Sequence, residues 1–315
     1  MTRDPPRLRF PCHKCITTNS VQGDAKERTT LEGQEPLRPR EALGKELKAL
    51  RLQAGLTGTE LAALIGITQV RVSRVETARF RPDPGEVERW LAATDADNET
   101  RRRIRQLTTS AVTEVTSYRA IFRGSLLNAQ QALLRQDAKA QRIRHFQPFM
   151  VPGMFHTAAY ARAALLAVRT VEEGVDEAVE ARLERGRRLR SAGAPEYHAI
   201  VTEAALRWQP LNFRSADRNE VWRQMLAGAE PPNITVQVIP TDTPMRQAPM
   251  CAFMITQFRT ETQEPTLVQV ELPAVEMSFS GSDDVAAYET VWQRMADAAL
   301  SPQESAELIA GLLRQ

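Results

Sequence analysis

Residues 68–76 read TQVRVSRVE and directly follow the apolar run LAALIGI. Thr68 is a residue type that caps helix N-termini, and Val72 and Val75 recur at helical spacing. Gly66, just upstream, suits the left-handed backbone conformation that a sharp turn requires. The stretch therefore predicts a short helix that starts at a tight turn.

The preceding segment, TGTELAALI, predicts a second short helix. Thr57 with Glu60 three residues later is the pattern of a capping box at a helix start. Ala62 supplies a small side chain where two helices would cross. Helix, glycine turn and helix in this order favour a helix-turn-helix, in which the second helix enters the DNA major groove.

The outward face of that second helix has the chemistry of a major-groove reader. Ile67, Val72 and Val75 would seat the helix on its neighbours. Glutamine can bond adenine, arginine can bond guanine O6 and N7, and valine methyls can contact a thymine methyl. A threonine and free amides at a helix start suit a phosphate oxygen. The predicted DNA-binding residues are Thr68, Gln69, Val70, Arg71, Ser73 and Arg74, with Arg79 and Arg81 beyond the helix facing backbone phosphates. A surface ion pair with Glu76 or Glu46 is the alternative for Arg74.

Three more helices complete the unit. Leu43, Leu47 and Leu50 lie at helical spacing in the first of them. Pro84 starts GEVERWLAAT, with Trp90 among its inward residues, and NETRRRIRQLTTSAV is the last. Together the five helices predict one domain over residues 39–112.

The rest of the chain predicts a mixed α+β domain over residues 146–315, reached through a linking segment at 113–145 that contains a long polar helix from about 117 to 145. Strand-like runs rich in β-branched residues, AIVTEAAL, ITVQVIP, CAFMITQF and LVQVEL, alternate with helices. The helices are predicted at about 156–169, 175–192 and 216–228, followed by VAAYETVWQRMADAAL and SPQESAELIAGLLR. The predicted fold class is mainly α in the first domain and α+β overall.

Composition limits the classes of protein. The chain has 315 residues, 42% hydrophobic and 25% charged, which is typical of globular proteins. A net charge of only +2 gives no overall basic field, so any nucleic-acid surface must be local. Three cysteines form no disulfide framework, and no run approaches the roughly 18 apolar residues of a membrane span. We therefore expect a cytoplasmic protein without a membrane partner.

The N-terminal segment, residues 1–38, carries several prolines among polar residues and shows no helical or strand period. It predicts a disordered extension whose deletion leaves folding and DNA binding unchanged, and it could also reflect a start codon assigned too far upstream. Cys12 and Cys15 form a Cys-x-x-Cys pair, but a structural zinc site needs four ligands. Cys251 is the only other cysteine, so we expect neither a metal nor a cofactor.

The sequence also lacks motifs of common enzyme classes. It contains no glycine-rich phosphate loop, zincin motif or nucleophile elbow. Cys251 lies in an apolar strand-like run, where a thiol is usually inert. We expect no catalytic activity.

The segment from LGKELKALRLQAG to GEVERWL resembles the XRE-type (lambda-repressor-like) helix-turn-helix domain along its whole length. SRVETAR is similar to that family's Ser-Arg-x-Glu-x-Gly-x ending, except that Ala78 stands where the family prefers glycine. The resemblance implies dimeric binding to a palindromic or near-palindromic DNA operator. It also implies base contacts by Gln69, Val70, Ser73 and Arg74.

The remainder resembles an antitoxin-like C-terminal domain that is common in high-GC Gram-positive bacteria. The similarity is carried by FQPFMVPGMFHTAAYARA, VEARLERGRRL, VTEAALRW, ITVQVIPTDTP and CAFMITQF. Phe155, His156 and Gly186 depart from the family's usual leucine, glutamine and glutamine. The resemblance implies a small partner protein encoded alongside.

A polar pocket or partner surface in this domain is a weaker hypothesis. Tyrosine more often packs in a core, and arginines more often lie on a solvated helix face. The candidate residues are Tyr160, Arg162, Arg182, Arg185 and Glu203.

These features predict a sequence-specific DNA-binding transcriptional regulator that acts as a homodimer and whose C-terminal domain senses a partner protein or a small ligand. Two alternatives stay open. The protein could be an adaptor that sequesters a small toxin-like protein, with DNA binding for autoregulation, or a receptor with its ligand pocket among residues 146–258.

Overall fold

Five helices form the first part of the chain in the computed structural model, which describes residues 39–80, 82–117, 126–167, 174–211, 213–272 and 275–314. They are α1 (Pro39–Gln53), α2 (Gly58–Ile65), α3 (Gln69–Glu76), α4 (Pro84–Ala93) and α5 (Asn98–Val112). The five helices predicted for this domain are confirmed. The predicted extension over residues 1–38 lies outside the described residues.

One apolar core holds these helices together. Leu47, Leu61, Trp90 and Leu91 are each at most 1% exposed, and the Trp90 indole donates a hydrogen bond to the Leu47 carbonyl at 3.1 Å. Full burial of such side chains contributes about 1.5–3 kcal/mol each to the free energy of folding. The core fixes α2 and α3 against the other helices.

The second part of the chain contains seven strands and seven helices among the described residues. The strands are β1 (Thr113–Ser117), β2 (Ala140–Gln147), β3 (Glu196–Thr202), β4 (Ile234–Ile239), β5 (Ala252–Phe258), β6 (Leu267–Glu271) and β7 (Val275–Phe279). The helices are α6 (Leu126–Asp137), α7 (Ala158–Ala167), α8 (Val175–Leu189), α9 (Glu203–Arg207), α10 (Ser215–Gly228), α11 (Ser282–Ala298) and α12 (Pro302–Leu312). Short 3₁₀ turns lie at Gly153–Phe155 and Thr260–Thr262.

The strands form one mixed sheet in the order β1-β7-β6-β5-β2-β3-β4. β2, β3 and β4 are parallel to one another, and the remaining pairs are antiparallel. The α+β architecture predicted from the strand-like runs is thus confirmed. Residues Leu37–Gln315 form one compact unit, so the sheet and the first five helices belong together.

Apolar side chains cover both faces of the sheet. On one face, Ile143, Tyr197 and Val236 pack with residues of the helices that include α7, α10 and α12. On the other face, Phe146 and Ile255 pack with α11. A sheet with two buried faces explains the continuous apolar runs within β3 and β5.

Two elements differ from the sequence prediction. The single linking helix predicted within residues 113–145 is wrong, because β1 and β2 flank the shorter helix α6. The run AIVTEAAL is only half strand: β3 ends at Thr202, whose side chain caps α9 by accepting a hydrogen bond from the Ala205 amide at 3.1 Å. The run looks uniform in the sequence, but its threonine side chain caps a helix N-terminus, so the strand ends there and a helix begins.

Candidate nucleic-acid interface

The first helix of the motif, α2, is closed at both ends by local contacts. The Thr57 hydroxyl accepts from the Glu60 amide at 3.2 Å, and the Glu60 carboxylate accepts from the Thr57 amide at 2.7 Å. These hydrogen bonds lower the pKa of Glu60. At the other end Gly66 has φ 71°, the left-handed conformation that its sequence position predicted. The turn therefore sets the angle at which α3 leaves α2.

α3 is seated by its inner face. Thr68 caps it by accepting a hydrogen bond from the Arg71 amide at 3.2 Å. Val72 and Val75 are 1% and 2% exposed, and Ile67 packs at the edge of the same core, as predicted for the apolar anchors. A helix held by its inner residues presents a fixed outer face.

That outer face consists of the residues predicted to contact DNA, with the exception of Arg71. Gln69, Ser73 and Arg74 are exposed, and Val70 is 52% exposed. Arg79 is exposed just past the helix end, while Arg81 lies outside the described residues. Glu76 and Glu46, the alternative partners of Arg74, pair instead with Arg51 and Arg103.

Arg71 is the exception, because its predicted outward position is wrong. Its side chain is 9% exposed and forms a two-pronged ion pair with Glu86 of α4, at 2.6 and 2.9 Å. The guanidinium also stacks 4.2 Å from the centre of the Phe80 ring. Burial against a carboxylate and an aromatic ring indicates that Arg71 stabilises the position of α3.

A second buried ion pair supports the other end of α3. Arg51 of α1 donates to Glu76 at 2.6 and 2.9 Å and to the Leu56 carbonyl at 2.8 Å. The hydrogen bond to Glu76 raises the pKa of Arg51. Gly44 allows this close approach, because a Cβ there would lie 2.7 Å from the Val75 carbonyl oxygen. Sequence reasoning missed this pair because its members are 25 residues apart and share no periodic pattern.

One contact with the start of α3 comes from the loop between β5 and β6. Gln263, in the loop before β6, accepts a hydrogen bond from the Thr68 hydroxyl at 3.2 Å through its side-chain oxygen. Its backbone carbonyl accepts from the Arg71 guanidinium. The partners are separated by more than 190 residues, and nothing in the sequence indicated that they meet.

The five residues proposed for a pocket do not share one environment. Tyr160 is 1% exposed inside an aromatic cluster with Trp208 and Phe213, and its hydroxyl accepts from the Val151 amide at 3.2 Å. Burial raises the pKa of Tyr160 to about 12. Arg162 lies on the surface, where it pairs with Asp176.

The remaining three are also held in separate contacts. Arg185 pairs with Asp137 at 2.5 Å, and although burial disfavours its charge, that carboxylate raises the pKa of the guanidinium. Glu203 accepts from Arg207 at 2.7 Å and from the Thr241 amide at 3.2 Å. Arg182 lies beside Gly153 and helps to lower the pKa of His156. Tyr160 is therefore part of the packing, as the alternative interpretation held, whereas the Arg185 side chain is largely buried and does not lie on the solvated helix face that this interpretation gave it.

Two further features concern metals and membranes. The described residues contain no group of three or more His, Cys, Asp or Glu side chains placed to hold a metal ion. Cys12 and Cys15 lie outside those residues, and partial burial raises the pKa of the Cys251 thiol. Among the helices described here, none is long and apolar enough to cross a membrane.

Helices α2 and α3, their glycine turn and the exposed face of α3 define a helix-turn-helix protein. Comparison with family models agrees, since a helix-turn-helix domain matches residues 42–104. A second model, a domain of unknown function (DUF5753), matches residues 130–311. Because that match spans more than half of the chain, the protein belongs to the DUF5753 family.

Comparisons beyond family models add little. The search of curated proteins found no match. Among solved structures, TrmBL2, described as an archaeal chromatin protein with a novel mode of DNA binding, is 12% identical. The similarity covers 81% of this chain and 92% of that one at a TM-score of 0.28, which is too low to support a conclusion about either fold or function.

Proposed function

We propose that this protein is a sequence-specific DNA-binding transcriptional regulator of the XRE type. The observation that carries the proposal is the exposed face of α3, with Gln69, Val70, Ser73 and Arg74 held outward on a helix whose inner face is buried. In helix-turn-helix proteins the second helix lies in the major groove with its N-terminal residues at the base edges.

Each outward side chain has a matching chemistry in the groove. Gln69 can bond adenine N6 and N7, and Arg74 can bond guanine O6 and N7 in bidentate fashion. Val70 presents methyl groups for a thymine methyl. Arg74 has no ion-pair partner within the described part of the chain, so its guanidinium is available to a base.

Backbone phosphates would fix the register of the helix on DNA. Thr68 and the first amides of α3 lie at the positive end of the helix dipole, which favours an anion. Arg79, exposed past the opposite end of the helix, supplies a positive charge for a separate phosphate contact. These contacts position the protein without selecting a sequence.

The proposal includes a homodimer, because one recognition helix contacts only a few base pairs. Two copies would bind two half-sites about 10–10.5 base pairs apart, on a palindromic or near-palindromic operator. The dimer, like a small protein partner encoded alongside, is part of the proposal.

The C-terminal domain has the regulatory role in this proposal, in response to a partner protein or a small ligand. Its support is the connection between the domains: α5 ends at Val112 and β1 starts at Thr113, where it pairs with β7. A change in the sheet would therefore be transmitted directly to the last helix of the DNA-binding domain. The proposed function needs neither catalysis nor a cofactor, and it places the protein in the cytoplasm.

Selection from a random duplex library tests the proposal. The full-length protein should enrich a site with two related halves at the spacing given above. The double variant Gln69→Ala/Arg74→Ala should lose the enrichment but keep salt-dependent binding to any DNA. Arg102→Ala, which removes an exposed arginine of α5, is the matched control and should enrich the same site.

Absence of any enriched sequence with the folded wild-type protein would refute the proposal. Equal enrichment by the double variant would show that another surface reads the DNA.

A further inference from the structure

The loop between β5 and β6 reaches the start of the recognition helix. This loop, residues 259–264, contains the 3₁₀ turn Thr260–Thr262 followed by Gln263. Gln263 accepts hydrogen bonds from the two residues at that helix start, Thr68 and Arg71. The loop of the C-terminal domain thus lies against one edge of the proposed DNA-reading surface.

The sheet and its neighbouring turns hold the loop in this position. The Arg259 amide donates to the Lys139 carbonyl at 3.0 Å, and Lys139 Nζ forms an ion pair with Glu264 at 2.6 Å. Arg259 also donates to the Gly193 carbonyl at 2.9 Å. Because these anchors all belong to the second part of the chain, which contains the sheet, the position of Gln263 depends on that part.

The contact competes with DNA for the same group. Thr68 accepts from the Arg71 amide, and its only hydroxyl proton is donated to Gln263. A phosphate bound at the start of α3 would need that proton and the space occupied by the loop. Glu261, exposed in the loop, adds a negative charge that repels phosphate.

We propose that the loop at residues 259–264 is an autoinhibitory element that covers the start of α3 in the DNA-free protein. The proposal rests on the function proposed above. DNA binding then requires the loop to leave Thr68. The apparent dissociation constant equals the intrinsic one divided by the fraction of molecules in which the loop has left. Any event that moves the loop anchors would change DNA affinity without touching the reading face.

Two substitutions in the full-length protein test this, with the duplex obtained by selection as the probe. Gln263→Gly removes the side-chain acceptor but changes no charge, and glycine suits the left-handed conformation at this position (φ 55°). Losing one such hydrogen bond should tighten operator binding about two- to tenfold. Glu261→Gln leaves the loop backbone intact and should also tighten binding, with a gain that disappears at high salt.

Glu230→Gln is the matched control, since it removes an exposed carboxylate from a different loop and should leave affinity unchanged. Weaker binding by Gln263→Gly would show that the loop is part of the DNA-binding surface, and unchanged binding would show that the contact has no regulatory effect. Either result overturns this inference while leaving the proposed function intact. If neither wild type nor variants prefer any sequence, the proposed function itself fails.

Discussion

Arg71 and Arg74 are three positions apart on α3, yet their side chains have opposite environments. Arg71 is buried against Glu86, whereas Arg74 is exposed. Helical periodicity alone placed both on the outer face, because the carboxylate that draws Arg71 inward belongs to another helix. A partner distant in sequence cannot be inferred from local spacing.

The buried pair of Arg71 and Glu86 leads to a prediction about stability. Arg71→Met should lower the free energy of unfolding by about 3 kcal/mol, because it leaves a buried carboxylate without its partner. Arg71→Met/Glu86→Gln removes that charge, keeps an oxygen for the Asp83 amide, and should recover about 1–2 kcal/mol of the loss. Urea denaturation of the single and double variants measures both values.

The double variant should also retain selection of the same DNA site. If it folds but no longer discriminates between sequences, Arg71 reads DNA after all.

Ala78 occupies a backbone conformation that favours glycine. Its φ is 56°, and alanine in the left-handed region costs about 1–2 kcal/mol. The resemblance to the XRE-type motif had pointed to this position, since glycine is preferred there. At Ala78 the structure therefore has the left-handed conformation that glycine adopts most readily.

Ala78→Gly should raise the free energy of unfolding by about 0.5–1 kcal/mol, because the relief of strain exceeds the entropy lost with glycine. Ala92→Gly, at an exposed position in the last turn of α4, is the control and should lower it by up to about 1 kcal/mol. Chemical denaturation of the two variants measures these opposite changes in the free energy of unfolding. A loss of stability in both variants would contradict the strain at Ala78.

Close packing of helix α8 on the turn Gly153–Phe155 depends on one glycine, Gly186. A Cβ at Gly186 would lie 2.7 Å from the Met154 carbonyl oxygen, which is backbone and cannot rotate away. Gly186→Ala should therefore lower the free energy of unfolding by about 1–3 kcal/mol. Thermal or urea unfolding of the full-length protein measures the effect.

Gly311→Ala in α12 is the control for this prediction. A Cβ there would meet only the flexible Arg314 side chain at 3.7 Å, so alanine should stabilise the helix by about 0.5–1 kcal/mol. Equal effects of the two substitutions would argue against the close contact of α8.

Helices and strands marked by a local sequence motif could be predicted, whereas those that depend on long-range contacts could not. The capping box at Thr57 marked a helix start that the structure confirms, and the structure has a further capping box at Ser301. β2, in contrast, reads AQRIRHFQ, and its arginines and glutamines are good helix formers. Arg142 and Arg144 are tolerated in the strand because they pair with Glu196 and Glu289, partners supplied only by the tertiary fold.

Edge and linking elements were missed for a related reason. β1 is a five-residue strand whose sequence, TEVTS, has no apolar alternation, and it is defined by pairing with β7. Apart from Arg71, the exposed face of α3 was predictable because it depends on local spacing within that helix. The loop contact at Gln263 was not, because it depends on the path of the whole chain.

The buried histidine His156 should make the stability of the protein depend on pH. His156 is 2% exposed, and burial lowers its pKa from 6.5 to about 3. Between these values the unfolded chain binds a proton that the folded protein does not, so the free energy of unfolding falls as the pH falls below about 6.5. The loss from this group should be about 1.2 kcal/mol between pH 7 and pH 5.5.

Urea denaturation at both pH values tests this, with His156→Gln predicted to reduce the pH dependence by that amount. Phe155→Leu, a non-titrating change next to it in the core, should lower stability equally at both pH values. A pH dependence that persists unchanged in His156→Gln would show that this histidine does not contribute.

The most direct test of the account is a titration of full-length protein with two duplexes at about 150 mM salt: the selected site and a scrambled sequence of the same composition. If α3 reads base pairs, the selected site should bind at least about a thousandfold more tightly. Arg74→Ala should lose about 1–3 kcal/mol of that preference while binding the scrambled duplex almost as before. Equal affinity of the wild-type protein for both duplexes would contradict sequence reading by this helix.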